Sequence, residues 1–295
     1  MREDIPAHFT IADAQVAIIG LGLMGGSLAA ALSSMRVCRQ VVGIARRPSS
    51  LTTARSLRFI HRGTTDLAEG IREADIVVLA TPVRDILEKL GQIGPMMKND
   101  AIVIDVGSTK TAICGAMEAM PSHVQPIGGH PMCGKESSGL TMAEPGLYQD
   151  RVFVLAPLAR TSARTLALMQ EMVRGIGARA LILEPAYHDR MVAAISHLPY
   201  MVAVTLVAAA EQVAQGDDMP WRLAAGGFRD TSRVAAGSIP MMMDILMTNR
   251  QPILETLYAA QAQLATLTRL LEDNDDEALR EALENARQRR VEIYT

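Results

Sequence analysis

The chain has 295 residues, 49% of them apolar, and a formal net charge of −3 at pH 7, which allows one large domain or two ordinary ones. Lysine and arginine are scattered, which argues against nucleic acid or an anionic membrane as a partner. The three cysteines (Cys38, Cys114 and Cys133) lack metal-ligand spacing, and the N-terminus, MREDIPAHFTIADA, lacks a long apolar run. We therefore predict a cytoplasmic protein without a metal site, disulfides or a signal peptide.

Short apolar strands alternate with helices through the first half of the chain. The predicted strands are 15–20 (QVAIIG), 41–45 (VVGIA), 74–82 (ADIVVLATP) and 101–108 (AIVIDVGS), and the predicted helices are Leu23–Met35, Thr52–Leu57, Arg84–Ile93 and Lys110–Met120. VQPIGG and VFVLAPL are later strand candidates. This alternation predicts a doubly wound α/β fold with a parallel sheet. Ligands bind such sheets at the carboxyl ends of the strands, which here carry Gly20, Ala45, Thr81, Pro82, Ser108 and, further on, His130.

The second half is helical. After an amphipathic stretch (Thr161–Gly175) and a last strand candidate (ALILEP, 180–185), the pattern is helical from His188 onward. Glu184-Pro185 is the predicted boundary, which divides the chain into 1–183 and 184–295. The apolar stretch Tyr200–Ala210 is short for a membrane span, and we predict a buried helix there. The charge-rich segment Asp273–Arg290 is predicted to be a helix with a solvated face.

A glycine loop follows the first predicted strand. Residues 20–25 read GLGLMG and open a helix, which in a strand-turn-helix context is the dinucleotide-binding fingerprint. Gly20 allows the tight turn, Gly22 lets the backbone approach the pyrophosphate, and Gly25 lets the helix pack on the strand. Leu23 and Met24, which lie in the same loop, are also predicted to bind the cofactor. A plain structural turn is the alternative.

The second predicted strand ends without the acidic residue expected about 20 positions after such a loop. The sequence there reads GIARRPSS, so Arg46, Arg47 and Ser49 stand where a carboxylate would bind the ribose hydroxyls of NAD. Guanidinium groups and hydroxyls suit a 2′-phosphate. We predict NADP as the cofactor, with NAD as the alternative.

Residues 125–139 read QPIGGHPMCGKESSG, which fits neither a helical nor a strand period and is predicted to be a loop around His130. Together with DVGSTK (105–110), ISHLP (195–199) and GFRDTSRV (227–234), it makes the chain resemble the prephenate/arogenate dehydrogenases over nearly its whole length. The resemblance implies a Rossmann-type doubly wound parallel sheet followed by an all-α dimerisation domain, hence a homodimer. It also implies oxidative decarboxylation of arogenate or prephenate, with hydride transfer to the nicotinamide, in tyrosine biosynthesis.

The same resemblance assigns roles to individual residues. His130 matches the family's catalytic histidine, which suits holding the substrate hydroxyl proton because its pKa lies near working pH. Ser108 matches a serine that hydrogen-bonds the hydroxyl region and the nicotinamide side, although it could also cap the following helix. Arg233 matches the residue that binds a substrate carboxylate, which a guanidinium can do with two hydrogen bonds. Arg229 and Asp230 are expected to pair with each other, with carboxylate binding by Arg229 as the alternative.

Two further site candidates have equally good structural explanations. His197 either faces the substrate or cofactor, or is a core histidine bonded to a carbonyl that Pro199 frees in the helix. Glu136 matches an acid near the active-site mouth, or it is a surface carboxylate paired with Lys135. Cys133 is expected to be a small buried filler rather than a reactive thiol.

Two departures from the family pattern bear on the substrate. Tyr200 stands where many relatives have a second histidine, and Thr141 stands where many arogenate users have an acid suited to the substrate ammonium. Glu136 and Glu144 are the nearby candidates to replace that acid. One desolvated carboxylate could decide between arogenate, which carries an ammonium, and prephenate, which carries a keto group. We expect a dehydrogenase able to use arogenate or both substrates.

Two other functions stay open from the sequence. A β-hydroxyacid-type dehydrogenase shares the glycine loop, but such enzymes usually use a lysine in the helical half, and this chain has no lysine after Lys135. A non-enzymatic dinucleotide-binding module needs only the glycine loop and leaves His130, Ser108 and Arg233 unexplained.

Overall fold

The computed structural model of the protein describes residues 9–135 and 137–294. Within these ranges one sheet contains β1 (Gln15–Ile19), β2 (Gln40–Ile44), β3 (Arg62–Thr64), β4 (Ile76–Leu79), β5 (Ile102–Asp105), β6 (Gln125–Pro131), β7 (Val152–Pro157) and β8 (Arg179–Ile182). The strand order is β3-β2-β1-β4-β5-β6-β7-β8. All neighbours are parallel except β6 and β7, which run antiparallel. The predicted parallel, doubly wound sheet is confirmed with that one exception.

The helices fall into two sets. Those that accompany the sheet are α1 (Leu23–Ser34), α2 (Pro48–Ser56), α3 (Leu67–Ile71), α4 (Val83–Ile93), α5 (Thr111–Glu118) and α6 (Ala163–Gly175). Those of the second half are α7 (Pro185–Val192), α8 (Leu198–Ala214), α9 (Met219–Leu223), α10 (Gly226–Ser232), α11 (Ile239–Thr248), α12 (Arg250–Glu272) and α13 (Asp276–Tyr294). The prediction of an α/β half followed by a helical half is confirmed.

Strand β1 shows why the first half is doubly wound. Val16 and Ile18 pack into one hydrophobic core with α1 and α6. The alternate residues, Ala17 and Ile19, pack into a second core with α4 and α5 on the other face. Because successive side chains point to opposite faces, a strand buried on both must be apolar throughout. Each fully buried isoleucine contributes about 1.5–3 kcal/mol relative to an exposed one.

Two short elements escaped the sequence prediction. Strand β3 has three residues at the edge of the sheet, too few for a hydrophobic period. Helix α3 follows it and is capped by the Asp66 carboxylate, which accepts a hydrogen bond from the backbone N–H of Glu69 (2.9 Å). The spacing of Asp66 and Glu69 is a helix-start signal that could have revealed the helix.

Residues 125–131 form β6, with His130 opposite Val154 of β7, which confirms the strand candidate VQPIGG and shows that the loop predicted around His130 is wrong in its first half. The two glycines of this segment are required by crowding rather than by a turn. A Cβ on Gly128 would lie 2.7 Å from Cys114 Sγ, and one on Gly129 would overlap the backbone oxygen of Asp105. Glycine therefore lets β6 pack closely on its neighbours, and His130 stands near the end of a strand.

The predicted buried helix in the second half is also wrong for the chain by itself. Of α8 only Ala203 and Ala214 are buried, and several of its valines, including Val204, Val207 and Val213, are exposed. The helical stretch Pro185–Ala214 is long and apolar enough to cross a membrane by length and composition alone, which is weak evidence because core helices of soluble proteins pass the same test. In the described part of the chain, the elements that pack on α8 leave these valines uncovered.

Candidate active site

The glycine loop has the geometry that a dinucleotide requires. Gly20 has φ +99°, and a Cβ there would lie 2.7 Å from Thr81 Cγ2. A Cβ on Gly25 would overlap the carbonyl oxygen of Gly20, so only glycine lets α1 start this close to β1. Gly22, the residue before α1, has open space where its Cβ would be. This open space and the partly exposed N-terminus of α1 fit a pyrophosphate.

Neighbouring residues complete the rim of this loop. Leu23 and Met24 form the first turn of α1, and the Met24 carbonyl accepts a hydrogen bond from the Tyr148 hydroxyl (2.7 Å). Thr81 and Pro82 follow β4, and Pro82 is the residue that precedes α4. These residues therefore line the same edge of the sheet.

The arginines after β2 are exposed, as a phosphate contact requires. Arg46, Arg47 and Ser49 are all exposed, with Arg47 preceding α2 and Ser49 in its first turn. Arg46 lies within electrostatic reach of Asp85 in α4. Burial raises the pKa of Asp85, but the hydrogen bond from Lys89 (2.8 Å), with the charges of Lys89 and Arg46, brings it below its usual value.

Strands β1, β4, β5 and β6 are parallel, so their carboxyl ends share one edge. Ser108 follows β5 and is partly exposed there, and His130 lies near the end of β6. The ends of β5 and β6 are held together by Asp105, which accepts hydrogen bonds from Gly107 N (2.7 Å) and Gly129 N (3.0 Å). Asp105 also pairs with the Lys110 ammonium, and both side chains are fully buried.

His130 is the first member of a buried hydrogen-bonded chain. Its Nδ1 lies 2.8 Å from Nε2 of His188, and Nδ1 of His188 lies 2.8 Å from Oδ1 of Asp189. The Asp189 carboxylate accepts two further hydrogen bonds, from the backbone N–H groups of Lys110 (2.7 Å) and Thr111 (2.8 Å) at the start of α5. His188 and Asp189 belong to α7, so the second half of the chain supports the histidine of the first.

The electrostatics keep the His130 ring neutral near pH 7, with a pKa below the near-working value that the sequence led us to expect. Burial of the ring is the largest cause of a pKa well below the usual histidine value, and the Lys110 ammonium, His188 and His197 lower it further. Burial raises the pKa of Asp189, but hydrogen bonds from His188, Thr111 and Lys110 outweigh it and lower that pKa below its usual value. The hydrogen-bonded chain thus joins the ionised Asp189 carboxylate, through His188, to the neutral His130 ring.

His197 lies beside this chain in a π-helical turn, Ala193–His197, that joins α7 to α8. Its ring is buried, and Nδ1 lies 3.2 Å from the side-chain nitrogen of Asn249, which also donates to the backbone oxygen of Asp189 (2.8 Å). Burial lowers the pKa of His197 to about 4, against the opposing charge of Asp189. The partner that satisfies this ring is an amide rather than the expected carbonyl freed by Pro199.

The remaining substrate-site candidates lie on exposed segments. Arg233 begins a 3-10 turn, Arg233–Ala236, that packs against α8, and Thr141 lies in another, Leu140–Met142. Tyr200 lies near the end of the Arg233–Ala236 turn, because a Cβ on Gly237, which follows that turn, would lie 3.8 Å from Tyr200 Cε2. Glu136 lies outside the described residues. In the described ranges, no group of three His, Cys, Asp or Glu side chains could hold a metal ion.

Models of known families match both halves of the chain. The nucleotide-binding domain of prephenate dehydrogenase matches residues 28–182, and the prephenate dehydrogenase dimerization domain matches residues 184–285. The chain belongs to the prephenate dehydrogenase family. It is therefore an oxidoreductase that uses a nicotinamide dinucleotide and a small-molecule substrate.

Known members of the family resemble it along almost their entire length. The cyclohexadienyl dehydrogenase of Zymomonas mobilis is 31% identical over 95% of this chain and 96% of its own. The solved arogenate dehydrogenase of Synechocystis is 32% identical, with a TM-score of 0.84 over 95% of this chain and 99% of its own. The prephenate dehydrogenase of A. aeolicus, solved with hydroxyphenyl propionate and NAD+, is 28% identical, with a TM-score of 0.88 over 95% of this chain and 98% of its own.

Membership in the prephenate dehydrogenase family removes both alternative functions left open by the sequence, and the structure corrects one local expectation. Ser108 does not cap α5, because the residue preceding that helix is Lys110 and the Asp189 carboxylate accepts the hydrogen bonds of the first two amides. Two other expectations are supported. Arg229 and Asp230 form an ion pair (3.0 Å), and burial raises the pKa of the Cys133 thiol to about 11, as befits a packing residue.

Four buried polar residues of the chain were not predicted as part of the site: Lys110, His188, Asp189 and Asn249. The contact between His130 and His188 joins residues 58 positions apart in the sequence and forms only when α7 docks on the sheet. The available signal was the pair of polar residues His188-Asp189 at the start of the helical half, directly after the predicted boundary.

Proposed function

We propose that the protein oxidatively decarboxylates arogenate, prephenate or both, to tyrosine and 4-hydroxyphenylpyruvate respectively, with NADP as the cofactor. The observation that carries this proposal is the position of His130 near the end of β6, at the edge of the sheet that also holds the glycine loop. A neutral imidazole beside the nucleotide is what this reaction requires.

His130 and Ser108 are proposed to act on the substrate hydroxyl. A nicotinamide dinucleotide held at the glycine loop (Gly20, Gly22 and Gly25) would supply the hydride acceptor for the carbinol carbon, and the ring carboxylate would leave as carbon dioxide. His130 holds the hydroxyl proton as carbonyl character develops, and its low pKa keeps the ring available as an acceptor near neutral pH. Ser108, at the end of the neighbouring strand, is proposed to donate a hydrogen bond to the same region.

Arg233 is proposed to bind a substrate carboxylate from the helical half, and His197 is proposed to support the site from behind rather than to contact the substrate. The buried position of His197 and its bond to Asn249 favour that supporting role. Arg233 is exposed and carries a guanidinium, whose planar fork suits a carboxylate.

The substrate side chain is proposed to lie near Thr141 and Glu136. Glu144, the other candidate for an ammonium contact, already pairs with the Lys135 ammonium (2.9 Å), and its backbone N–H donates to Ser27 (3.0 Å). Because the charge of Glu144 is partly neutralised by Lys135, we propose Glu136 as the better candidate for the arogenate ammonium. Use of prephenate requires no such group.

NADP is proposed over NAD because Arg46, Arg47 and Ser49 are exposed after β2, where the adenine ribose lies in this fold. The nearby Asp85 would oppose a phosphate unless Arg46 lies between them. Arg46→Asp should therefore lower the NADP/NAD ratio of kcat/KM to below one, whereas a ratio already below one in the unaltered protein would refute the NADP proposal.

A homodimer is proposed from the exposed apolar helices of the second half and from the match to a dimerization domain. The same surface argues against a membrane partner, because the buried end of Pro185–Ala214 carries His188, Asp189 and His197, which are costly in lipid. The boundary between 1–183 and 184–295, the absence of a nucleic-acid partner and a cytoplasmic location stay predictions.

The decisive experiment is a matrix of two substrates and two cofactors. Purified protein is mixed with arogenate or prephenate and with NADP or NAD, and absorbance of the reduced cofactor gives kcat/KM for each pair. We expect turnover with arogenate and NADP, with or without turnover of prephenate. No turnover in any of the four reactions would contradict the proposed function.

A further inference from the structure

Two residues of the helical half lie behind His130, on the side away from the open edge of the sheet. The atoms Asp189 Oδ1, His188 Nδ1, His188 Nε2 and His130 Nδ1 form a continuous hydrogen-bonded chain with two links of 2.8 Å each. His188 and Asp189 are each 1% exposed, so water does not substitute for either link. These two residues have no part in the function proposed above.

The direction of each hydrogen bond follows from the carboxylate. The Asp189 oxygens accept hydrogen bonds from Lys110 N, Thr111 N and His188, and an ionised carboxylate is an acceptor only. Nδ1 of His188 must therefore donate. With His188 taken as a neutral imidazole that donates from Nδ1, its lone pair is on Nε2, and that nitrogen accepts from Nδ1 of His130. The lone pair of His130 is then on Nε2.

We propose that Asp189 and His188 are positioning residues that fix His130 as the Nδ1–H tautomer, with the lone pair of Nε2 directed at the substrate hydroxyl. This inference rests on the proposed function for the identity of the substrate. The opposite tautomer would present an N–H to the hydroxyl and could not take up its proton. The relay thus selects the tautomer that acts as a base.

The relay also balances the charge that develops during the reaction. As the hydride leaves, the hydroxyl proton moves toward His130 Nε2, and the resulting imidazolium keeps its Nδ1–H bond to His188. Asp189 is the nearby anion for that cation, and it takes no proton itself. The proton returns to the phenol oxygen when the ring has become aromatic, so none is gained or lost by the protein.

The two ends of the relay belong to different halves of the chain. His130 lies on β6, and His188 and Asp189 lie on α7. The Asp189 carboxylate also accepts a hydrogen bond from Lys110 N at the start of α5. The tautomer of the catalytic histidine is therefore correct only when the helical half is docked on the sheet. A partial separation of the two halves breaks the relay and switches off the base.

The first test compares two replacements of His188 that differ in one respect. His188→Leu fills similar space without an acceptor, whereas the amide oxygen of His188→Gln can accept from Nδ1 of His130. We expect kcat to fall about 10²-fold in the leucine variant, near the lower end of what a general base contributes. The glutamine variant should stay within about tenfold of the unaltered protein, and KM should change less than kcat in both.

A matched control separates the relay from simple damage at the seam between the halves. Thr248 of α11 bonds to Thr109 (2.9 Å) and so joins the same two halves without touching the relay. Thr248→Val should leave kcat within about twofold, since it removes one neutral hydrogen bond. Equal losses of kcat in the leucine and glutamine variants would show that no acceptor is needed and would overturn the proposal.

The pH profile gives a readout that a purely structural role would not move. Lys110 from the start of α5 and His188 and His197 from the helical half are the ionisable groups acting on His130, and Asp189 acts through His188. Asp189→Asn removes the anion that stabilises the imidazolium. The acid limb of kcat/KM should then move to lower pH while the plateau falls. An acid limb that stays in place would overturn the role of Asp189.

Nuclear magnetic resonance tests the tautomer without any substrate. The chain has six histidines, so protein labelled with ¹⁵N only at histidine gives few signals, which His130→Asn and His188→Gln assign. We expect His130 as the Nδ1–H tautomer, and the opposite tautomer would overturn the proposal. Because this measurement needs no turnover, failure of the proposed function in the four-reaction matrix would be recognised separately.

Discussion

The two halves of the chain have similar apolar sequences but bury them differently. In the first half, strands such as β1 and β4 are buried along their whole length, between helices on both faces. In the second half, α8 buries only Ala203 and Ala214, and α9, α10 and α13 bury no residue. The first half completes its core within one chain, whereas the second half leaves most of its apolar surface exposed.

Several of the few buried residues of the second half are polar, and they cluster around the contact with His130. His188, Asp189, His197 and Asn249 are all nearly inaccessible to solvent, and each has a hydrogen-bond partner. Buried polar groups are costly unless they are bonded, so this seam tolerates few substitutions. The helical half thus contributes polar support to the active site on one side and an exposed apolar surface, which we propose binds a second subunit, on the other.

The largest effect is expected when His130, the proposed base that the first half contributes to the site, is replaced. His130→Asn should lower kcat by about 10²–10⁴-fold, because a positioned general base contributes that much. The dissociation constant for NADP, measured by fluorescence titration, should change less than twofold.

His123→Asn is the matched control for this variant. His123 precedes β6 at the opposite edge of the sheet, so the control should leave kcat unchanged. Equal losses in the two variants would contradict the assignment of the base to His130.

The exposed surface of the second half gives the next largest effect. Leu264 of α12 is 65% exposed in the single chain, although it is apolar. If a second subunit covers it, Leu264→Glu places an unpaired carboxylate in the interface, and the dimer dissociation constant should rise about 10²-fold or more. Sedimentation equilibrium measures this constant. Leu264→Met, which stays apolar, should leave it nearly unchanged, and an effect of equal size in both variants would argue against burial at this position.

The contribution of the second half to substrate binding should be smaller. Arg233→Ala removes the proposed carboxylate contact and should raise KM for the substrate about 10- to 100-fold with little change in kcat, since charge-assisted hydrogen bonds contribute about 1.5–3 kcal/mol each. Steady-state kinetics measures both parameters. Arg229→Ala, whose partner is the exposed Asp230, should change KM less than twofold. An unchanged KM in the first variant would remove Arg233 from this role.

A separate effect, on stability rather than on activity, is the pH dependence that the buried seam creates. The pKa of His197 is about 4 in the folded protein, against 6.5 for an ordinary histidine in the unfolded chain. Between these pH values the unfolded chain therefore binds a proton that the folded chain does not. The free energy of unfolding should therefore fall by about 1.4 kcal/mol for each pH unit from 6.5 down to 4 on account of this group. The low pKa of His130 acts in the same direction.

Urea unfolding at a fixed protein concentration between pH 4.5 and 7 measures this slope. His197→Asn retains an acceptor for Asn249 but cannot be protonated, so its slope should be shallower by about 1.4 kcal/mol per pH unit. An identical slope in the two proteins would mean that His197 is not buried in its neutral form.

The sequence anticipated most of the first half because its signals are local. Apolar strands, the helices after them and the glycine loop each depend on neighbouring residues, and β1, α1, β4 and β5 agree with the predicted positions within a few residues. The errors have a common cause in nonlocal packing. The segment of β6 was both a strand candidate and part of a predicted loop, because its glycines are explained by contacts with Cys114 and Asp105, which are distant in sequence. Helix α8 was predicted to be buried because it is apolar, but an apolar composition does not show whether another element of the same chain covers the helix.

The site divides in the same way. The sequence by itself determined the fold class, the nucleotide loop and His130, because strand period, glycine spacing and the HPMCG motif are written in adjacent residues. Only the tertiary structure revealed His188, Asp189 and Asn249 behind that histidine, since they approach it when the helical half docks on the sheet. Which nitrogen of an imidazole carries the proton depends on the partner at its other side. That partner is chosen by packing between segments far apart in the chain, which no local pattern records.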